Sequence, residues 1–367
     1  MNSILCINTG GIGDLHGLRA RRLMEGFDAE VVFMDVDRGL SRWENARRIW
    51  ARLQERRWDL VYQESTGIAG GLPLILAAIK NSQRYVVSTG DPVGGFFRVV
   101  KGPVAGWGFE QYERWLYRLS TGFIGWTPYL SGMALKMGAR RAVTIEGAVD
   151  MDIFEPAEST VRQERKRKYG LDPTHLVCGV VGSLRWTPRQ QYCYGLELVR
   201  MLPFLKRDDV SVLIVGDGDG RERLAQAVPT AWRDRVAFTG RVPEAEVVDT
   251  LHAMDIGFIT QTMDGLGLYR LTTKLPEYLA AGLPVAMSPN PGYYDYARPA
   301  GWALPPHHPA SEGFHRACAA WLDTVSREEV EARRSIAPRV AAKHFSYDVV
   351  RPRFQAFISD LLDASSR

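Results

Sequence analysis

Short apolar runs alternate with stretches of helical periodicity along the first 150 residues. The apolar runs predict buried strands at 4–8, 31–35, 59–63, 85–88, 122–126 and 142–145. The stretches between them predict helices at 14–26, 41–57, 67–80, 109–121 and 128–138. Continuously apolar strands that alternate with helices indicate a parallel, doubly wound sheet. Ligands of such sheets bind beyond the carboxyl ends of the strands.

The same alternation returns in the second half of the chain. Strands are predicted at 176–181, 210–215, 235–238, 255–260 and 284–288, and the last segments, 311–325, 327–343 and 347–363, have helical periodicity. A charged run at 162–168 and a turn at 170–173 predict a linker between the halves. The pattern therefore predicts two α/β domains, at 1–160 and 161–345.

Composition limits the classes of protein to which the chain can belong. Its 367 residues are 46% apolar and 24% charged, and no apolar run reaches membrane-spanning length. The N-terminus enters a strand without the pattern of a secretion signal. Four scattered cysteines fit no metal spacing and indicate a reduced, cytosolic protein.

The positive charge is uneven. Residues 1–150 carry 19 Lys and Arg against 15 Asp and Glu, an excess equal to the +4 of the whole chain. No aromatic-basic nucleic-acid motif accompanies it, so no nucleic-acid partner is predicted.

A glycine loop follows the first strand. Gly11 and Gly13, with Asp35 at the end of the second strand, resemble the start of a dinucleotide fingerprint, but His16 fills the place of the third glycine. A plain tight turn is one alternative to nicotinamide binding. The interpretation that fits best is a loop that lets a ligand lie close over the backbone.

The segment 271–285 predicts a loop, a short helix and the next strand. Thr272 or Thr273 can cap the helix, Pro276 is tolerated in its first turn, and Gly282 ends it. Lys274 and Glu277 then lie beside exposed N–H groups, which attract phosphate. We expect Glu277 to stay ionised and to accept hydrogen bonds from sugar hydroxyls.

Three loops follow three parallel strands of the second half, so they should open on one edge of its sheet. The loops at 182–189, at 216–220 and before residue 274 would bring Arg185, Arg189 and Lys274 together, a set suited to a diphosphate. The pair Asp217 and Asp219 has a metal-like spacing, but the same spacing occurs twice elsewhere. No metal is therefore predicted.

Two segments of the first half combine aromatic and basic residues. The helix at 41–57 is interpreted as one core face and one solvated face, with a membrane-surface helix as the sharper alternative. The segment 96–107 is interpreted as a mobile loop that touches a lipid-linked or carbohydrate acceptor. Peripheral membrane contact is thus a hypothesis for this half.

Several motifs follow the order and spacing of one known family. They are the segments at 10–11, 147–156, 215–218, 236–242, 255–256 and 274–285. With these motifs, the chain resembles the GT-B glycosyltransferases of group 1 (family 4). The resemblance implies two Rossmann-like domains facing a cleft, with the acceptor bound by 1–160 and a nucleotide-sugar by 161–345. It also implies that a helix at 346–367 packs back on the first domain.

The resemblance assigns roles to individual residues. Glu277 corresponds to the glutamate that holds the ribose hydroxyls, and Arg189 to a phosphate-binding lysine. Ser183 stands where the family has an arginine, so Arg185 is the candidate to replace it. The loop Gly240–Val242, with Arg241, corresponds to the one that contacts the base.

Two family features are absent. Tyr269 occupies the place of a common second glutamate, and the region 88–92 lacks the usual histidine, leaving Asp91 as the nearest polar substitute.

The resemblance therefore implies a retaining glycosyltransferase, for which neither a metal nor a cofactor is predicted. It would take a nucleotide-diphosphate-sugar and a glycan, lipid-linked or small-molecule acceptor, in the cytoplasm or at the inner face of the membrane. The predicted catalytic residues are Asp91, Arg185 and Lys274. The predicted donor-binding residues are Gly11, Gly13, Ser183, Arg185, Arg189, Gly216, Asp217, Gly218, Arg241, Val242, Thr273, Lys274 and Glu277. The alternatives are a catalytically silent sugar-nucleotide-binding subunit and an NAD(P)-dependent oxidoreductase.

Overall fold

The computed structural model describes residues 1–11, 13 and 15–364. The chain forms two compact units. Unit 1 comprises residues 1–148, 269–271 and 347–367, and unit 2 comprises 149–268 and 272–346.

Each unit contains one six-stranded parallel sheet. The strands of unit 1 are β1 (Ser3–Asn8), β2 (Glu30–Asp35), β3 (Leu60–Glu64), β4 (Tyr85–Thr89), β5 (Gly122–Gly125) and β6 (Ala142–Thr144). Their order is β2-β1-β3-β4-β5-β6. The strands of unit 2 are β7 (Leu176–Val181), β8 (Val210–Val215), β9 (Val236–Gly240), β10 (Ile256–Ile259), β11 (Val285–Met287) and β12 (Gly301–Ala303). Their order is β12-β11-β10-β7-β8-β9.

Helices connect the strands. In unit 1 they are α1 (Leu15–Met24), α2 (Arg42–Glu55), α3 (Ile68–Asn81), α4 (Val93–Lys101), α5 (Pro103–Arg118) and α6 (Pro128–Lys136). In unit 2 they are α7 (Ser159–Lys168), α8 (Leu196–Met201), α9 (Arg221–Ala227), α10 (Val247–His252), α11 (Lys274–Ala280), α12 (Glu312–Leu322) and α13 (Arg327–Phe345). The chain ends with α14 (Tyr347–Asp363), which belongs to unit 1. The predicted doubly wound architecture is confirmed.

The sheet of unit 1 separates two apolar cores. Alternate residues of β1 point to opposite faces: Ile4 and Cys6 join one buried cluster, and Leu5 and Ile7 join the other. The first cluster includes α1 and α14, and the second includes buried residues of α2, α3, α5 and α6. The helices α2, α3, α5 and α6 therefore cover one face of this sheet.

The C-terminal helix packs back on unit 1, as predicted, and contacts α1. Phe354 of α14 meets the ring of Tyr62 edge to face, with centroids 5.1 Å apart. Gln355 donates to the carbonyl of Leu23 at 3.1 Å, and Arg351 pairs with Glu25 at 2.8 Å. These contacts join the last segment of the chain to the first helix.

The expectation of a loop at 96–107 is wrong, because this segment lies in α4 and α5. The carboxylate of Glu113 accepts from the backbone N–H groups of Val93 and Gly94, each at 2.8 Å, and so satisfies the start of α4. Phe97 and Phe109 stack at 3.6 Å between the two helices. The aromatic residues that suggested a contact loop hold a helical hairpin together.

None of the helices in the described part of the chain is both long and apolar enough to cross a bilayer. The four cysteines are buried and free.

Candidate functional site

A cavity of about 470 Å³ opens in unit 2 where β7, β8 and β9 end. The residues that line it are Val181, Gly182, Ser183, Val215, Gly216, Asp217, Gly218, Arg241, Val242 and Val247. Six predicted donor-binding residues, Ser183, Gly216, Asp217, Gly218, Arg241 and Val242, thus share one cavity. Its position fits the rule that ligands of parallel sheets bind at the carboxyl ends of strands.

Glycines bring the strand ends close together. Gly216 has a φ of +132°, and a Cβ on it would lie 1.9 Å from the carbonyl oxygen of Gly182. The N–H of Gly216 donates to the carbonyl of Gly240 at 2.9 Å, and the N–H of Gly182 donates to that of Val215 at 2.9 Å. The bare backbone of this wall leaves room for a ligand to lie close to it.

Lys274 stands at the edge of this cavity. A Cβ on Gly182 would lie 3.0 Å from the Lys274 ammonium nitrogen, so only glycine leaves that space open. The ammonium lies 3.7 Å from the ring centroid of Tyr194, a cation–π contact. The aromatic ring and the glycine together fix the charge beside the end of β7.

Lys274 is the first residue of α11, and the buried side of this helix is hydrogen-bonded to β7. Tyr278 is fully buried, and its hydroxyl accepts the N–H of Val181 at 2.8 Å. Of the two threonines proposed as caps, Thr272 is the one whose hydroxyl faces the helix, 3.4 Å from the N–H of Lys274. Thr273 makes no side-chain cap. The short helix is therefore held in place by packing more than by capping.

Glu277 differs from the expectation that it stays ionised. Burial raises the pKa of Glu277 to about 7; Lys274 opposes the shift and Glu244 adds to it. A carboxyl in a half-buried position loses hydration, which disfavours its charged form. Near neutral pH, Glu277 can therefore exist in either protonation state, and a ligand that donates hydrogen bonds to it would favour the ionised one.

Arg185 and Arg189 lie exposed on the loop between β7 and α8. Neither is among the described residues that line the cavity, whereas Arg241 is. The structure thus brings Lys274 and Gly182 together but leaves the two loop arginines at the surface. Asp217 accepts from the N–H of Gly218 at 2.9 Å, and Asp219 accepts from that of Trp186 at 2.7 Å. Within the described ranges, no cluster of three or more His, Cys, Asp and Glu residues is arranged to hold a metal ion.

Glu197 is a buried residue of this region that the sequence did not reveal. Its carboxylate accepts from Thr260 at 2.6 Å, from Tyr192 at 2.9 Å and from the N–H of Gly195 at 3.1 Å. Burial raises the pKa of Glu197, while these hydrogen bonds lower it. The network ties the end of the 182–195 loop to the end of β10, yet in sequence Glu197 looks like one more polar position of a helix.

A second cavity, of about 480 Å³, lies in unit 1. Its lining combines aromatic rings with charged side chains: Phe96, Phe97, Phe109, Asp37, Arg38, Arg42, Asp91 and His16 are among the residues that line it. Aromatic faces with a few polar groups are typical of sites for small organic ligands.

The glycine loop after β1 lies beside this cavity. Gly11 and Gly13 have φ values of +96° and +74°, which accounts for glycine at both positions. Arg21 and Asn8 donate hydrogen bonds to Asp35, at 2.7 and 2.9 Å. These bonds lower the pKa of Asp35 against the opposing effect of burial. The acid on which the dinucleotide interpretation depends is therefore already engaged within the protein.

Asp91 lines the same cavity and contacts an arginine from a distant part of the sequence. Arg270 Nε lies 2.7 Å from Asp91 Oδ1. Arg270 belongs to the segment 269–271, which is part of unit 1, and the neighbouring carbonyl of Tyr269 accepts from Thr127 at 2.9 Å. The side chain of Tyr269 packs against the apolar cluster on one face of the unit 1 sheet.

The lining also includes His16, which the sequence argument used only as evidence against a dinucleotide fingerprint. His16 Nδ1 is buried, 4.0 Å from Glu64 Oε1, and its ring lies against Trp126, with centroids 5.8 Å apart. Glu64 itself is fully buried and pairs with Arg19 at 2.7 Å. His16 therefore lies within 4.0 Å of a buried ion pair while it lines the cavity. The sequence signal that could have placed His16 near a ligand site is its position five residues after Gly11, in the segment that follows the first strand.

Comparison with known proteins shows similarity to one family in part of unit 2 and to one fold along nearly the whole chain. Residues 175–324 match the family model described as glycosyl transferases group 1. Over 179 residues the chain is 31% identical to 2-deoxystreptamine glucosyltransferase of Streptomyces kanamyceticus. That alignment covers 47% of this chain and 44% of the relative, so the chain spans less than half of that protein's length.

Solved structures show the same fold along nearly the whole chain. The crystal structure of Anabaena Alr3699/HepE in complex with UDP has a TM-score of 0.73 at 15% identity and covers 98% of this chain and 100% of that one. Sucrose-phosphate synthase (tll1590) from Thermosynechococcus elongatus has a TM-score of 0.74 at 12% identity, with coverage of 99% and 100%. The fold is GT-B, and residues 175–324 are similar to the group 1 glycosyl transferases.

Proposed function

We propose that the protein transfers a sugar from a UDP-sugar to an acceptor, with retention of the anomeric configuration and without a metal ion. The observation that carries this proposal is the position of Lys274, whose ammonium lies against Gly182 at the edge of the unit 2 cavity. UDP and UDP-glucose are the ligands named for crystal structures of HepE, and they support the choice of nucleotide.

The departing group in such a transfer is a diphosphate. Its leaving oxygen gains negative charge in the transition state, and a fixed cation stabilises that charge most where water is scarce. Lys274 is the cation in place, and exposed Arg185 and Arg189 are candidates to close over the phosphates when the donor binds. The departing oxygen then takes the acceptor's proton as the new glycosidic bond forms on the same face of the sugar.

The rest of the donor would bind along the same edge of the sheet. Glu277 would accept hydrogen bonds from the ribose hydroxyls, and the loop with Arg241 and Val242 would contact the base. The acceptor would bind in the unit 1 cavity, with Asp91 and His16 as its polar groups. A small polyhydroxylated or aminated ring suits this cavity of about 480 Å³, as does the acceptor named for the S. kanamyceticus relative.

The first test is a thermal-shift screen with UDP-, GDP-, dTDP- and ADP-sugars. We expect a UDP-sugar to raise the unfolding temperature, and Glu277→Ala to abolish the rise. An equal rise with Glu277→Ala would contradict the site. A rise without release of UDP in the presence of any acceptor would favour the silent-subunit alternative, and binding of NAD(P) alone would favour an oxidoreductase.

The affinity for UDP-glucose is expected to depend on pH through Glu277. Because the free carboxyl has a pKa of about 7 and the ribose needs its ionised form, binding releases a proton below that value. The dissociation constant should change little above pH 8 and rise by up to about tenfold per unit below pH 6. UDP-glucose is the suitable probe because its diphosphate is a diester whose charge is constant over this range. Calorimetry in two buffers of different ionisation enthalpy measures the proton release.

The matched variant is Glu277→Gln, which keeps the size of the side chain and removes its titration. It should bind UDP-glucose more weakly at pH 8 and show no step near pH 7. A step that persists in Glu277→Gln would assign the titration to another group.

His16 is expected to affect turnover but not donor binding. Replacing it with alanine should lower the rate of UDP release with an accepted acceptor by about 10²-fold, the cost of misplacing a bound reactant by about 1 Å. The temperature shift produced by UDP-glucose should be unchanged, because His16 lines the unit 1 cavity and is not among the residues that line the unit 2 cavity. 2-Deoxystreptamine is the first acceptor to try.

Lys136→Ala, at an exposed position of α6 in the same unit, is the control for His16→Ala. If His16→Ala retains the wild-type rate, the histidine has only a structural part in the cavity wall.

A further inference from the structure

The outer surface of one helical layer of unit 1 is unusually apolar. We call this surface the α2–α6 face; it is the solvent side of helices α2, α3, α4, α5 and α6. Its large exposed side chains are Trp43, Leu76, Ile79, Phe96, Val104, Trp107, Trp115, Tyr129 and Leu135. Val104 is 82% exposed, Trp43 68% and Trp107 61%. Of the fifteen large apolar side chains exposed among the described residues, only three belong to unit 2.

These residues share one side of the sheet. Because α2, α3, α5 and α6 contribute their inner residues to a single buried cluster, their outer residues face solvent together. On α5, Val104, Trp107 and Trp115 recur at intervals of three and eight residues, which places them along one stripe of the helix. The apolar residues of these four helices thus lie on one side of the sheet.

The same face is positively charged. The five helices carry ten Lys and Arg against four Asp and Glu, although the whole chain has an excess of only four positive charges. One of the four acids, Glu113, is buried beneath the surface. Exposed Arg47, Arg48 and Arg114 lie among the tryptophans. The excess charge of the protein is therefore concentrated where its apolar side chains are exposed.

We propose that the α2–α6 face docks on an anionic lipid bilayer. Tryptophan is favoured at the boundary between headgroups and acyl chains, and each basic residue near an anionic surface contributes attraction. A second copy of the chain is a poorer occupant, because a two-fold interface would bring the two positive faces together. The charge therefore selects the bilayer over self-association.

The face also reaches the unit 1 cavity. Phe96 of α4 is exposed on the face and lines the cavity, and Arg42 of α2 lines it too. Docking would place the mouth of the proposed acceptor site next to the headgroups. This inference goes beyond the proposed transfer reaction, and it can be tested without any sugar donor.

The test is co-sedimentation with vesicles of phosphatidylcholine alone or with one quarter phosphatidylglycerol. We expect binding to the anionic vesicles in 0.1 M NaCl and a large loss of binding in 0.5 M NaCl. The triple variant Trp43→Ser, Trp107→Ser, Trp115→Ser should bind at least about tenfold more weakly, because its apolar contact area is lost. The variant Arg47→Gln, Arg48→Gln should also lose about tenfold or more.

The matched control is Ile153→Ser, Tyr294→Ser, which removes exposed apolar side chains from unit 2. It should sediment like the wild type. All variants should keep the wild-type unfolding temperature and its shift with UDP-glucose, since none of the changed residues lines either cavity. If UDP-glucose raises the unfolding temperature but the protein does not bind vesicles, only the docking proposal is overturned. If the protein binds vesicles but UDP-glucose does not raise the unfolding temperature, only the donor proposal is contradicted.

Absence of wild-type binding to anionic vesicles would overturn the inference, as would equal binding by the triple tryptophan variant and the wild type. A change only in oligomeric mass, measured by light scattering, would assign the face to a second copy of the chain.

Discussion

Replacing Lys274 with methionine is expected to lower the rate of UDP release by about 10²–10³-fold, the usual cost of removing one group that stabilises charge in a transition state. Methionine keeps the length and the apolar stem of lysine but carries no charge. The space between Gly182 and the Tyr194 ring would therefore remain filled. The loss should appear in kcat more than in KM for the donor, because the charge on the leaving oxygen grows only as the bond breaks.

Lys206→Met is the matched control, because Lys206 is an exposed lysine of the same unit that lies outside the cavity lining. Stopped assays of UDP release at saturating donor measure both variants. If Lys274→Met releases UDP at a rate within threefold of the wild type, the phosphate cation must be Arg185 or Arg189. The variants Arg185→Gln and Arg189→Gln would then show the large loss of rate.

Replacing Gly216 with alanine is expected to destabilise unit 2 and to abolish donor binding. The added methyl group would lie 1.9 Å from the backbone oxygen of Gly182, and the φ of +132° is one that alanine rarely adopts. Backbone strain costs about 1–3 kcal/mol and overpacking about as much again, so a loss of roughly 2–6 kcal/mol is expected. Since the obstacle is backbone, no side-chain rotation can relieve it.

Gly313→Ala is the control for Gly216→Ala. Gly313 is exposed in α12, has no atom within 4 Å of its would-be Cβ, and should tolerate alanine with a small gain in stability. Denaturant unfolding followed by circular dichroism compares the two. A Gly216→Ala protein as stable as the wild type that still binds UDP-glucose would show that the strand ends can separate.

Much of the fold could be predicted because its signals are local. Each apolar run is short and continuous, and each intervening helix shows its own periodicity. The missed strand β12 has only three residues, Gly301–Ala303, too few to give a pattern. The helix α4 and the first turns of α5 were missed because their aromatic residues, such as Phe97 and Phe109, stack on each other and leave no simple apolar face to recognise.

The sequence could predict those site residues whose position is set by the end of one strand or the start of one helix. The loops after β7 and β8 follow from parallel topology, the loop with Arg241 and Val242 from the family resemblance, and Lys274 from its helix start. His16 and Glu64 were not predictable as neighbours, because they come from α1 and β3 and meet only in the folded unit. The protonation of Glu277 depends on burial, which no spacing of residues reports.

The segment Tyr269–Leu271 belongs to unit 1, although the residues on both sides of it belong to unit 2, and this limits how the two units can be exchanged by recombination. Both units are discontinuous in sequence, and the chain passes from one to the other at 148–149, 268–269, 271–272 and 346–347. A single genetic crossover at residue 148 would therefore exchange unit 2 together with the segment 269–271 and the helix α14, both of which belong to unit 1. Chimaeras made to exchange acceptor specificity should carry 269–271 and α14 along with residues 1–148, so that Asp91 keeps its Arg270 and α1 keeps its partner helix.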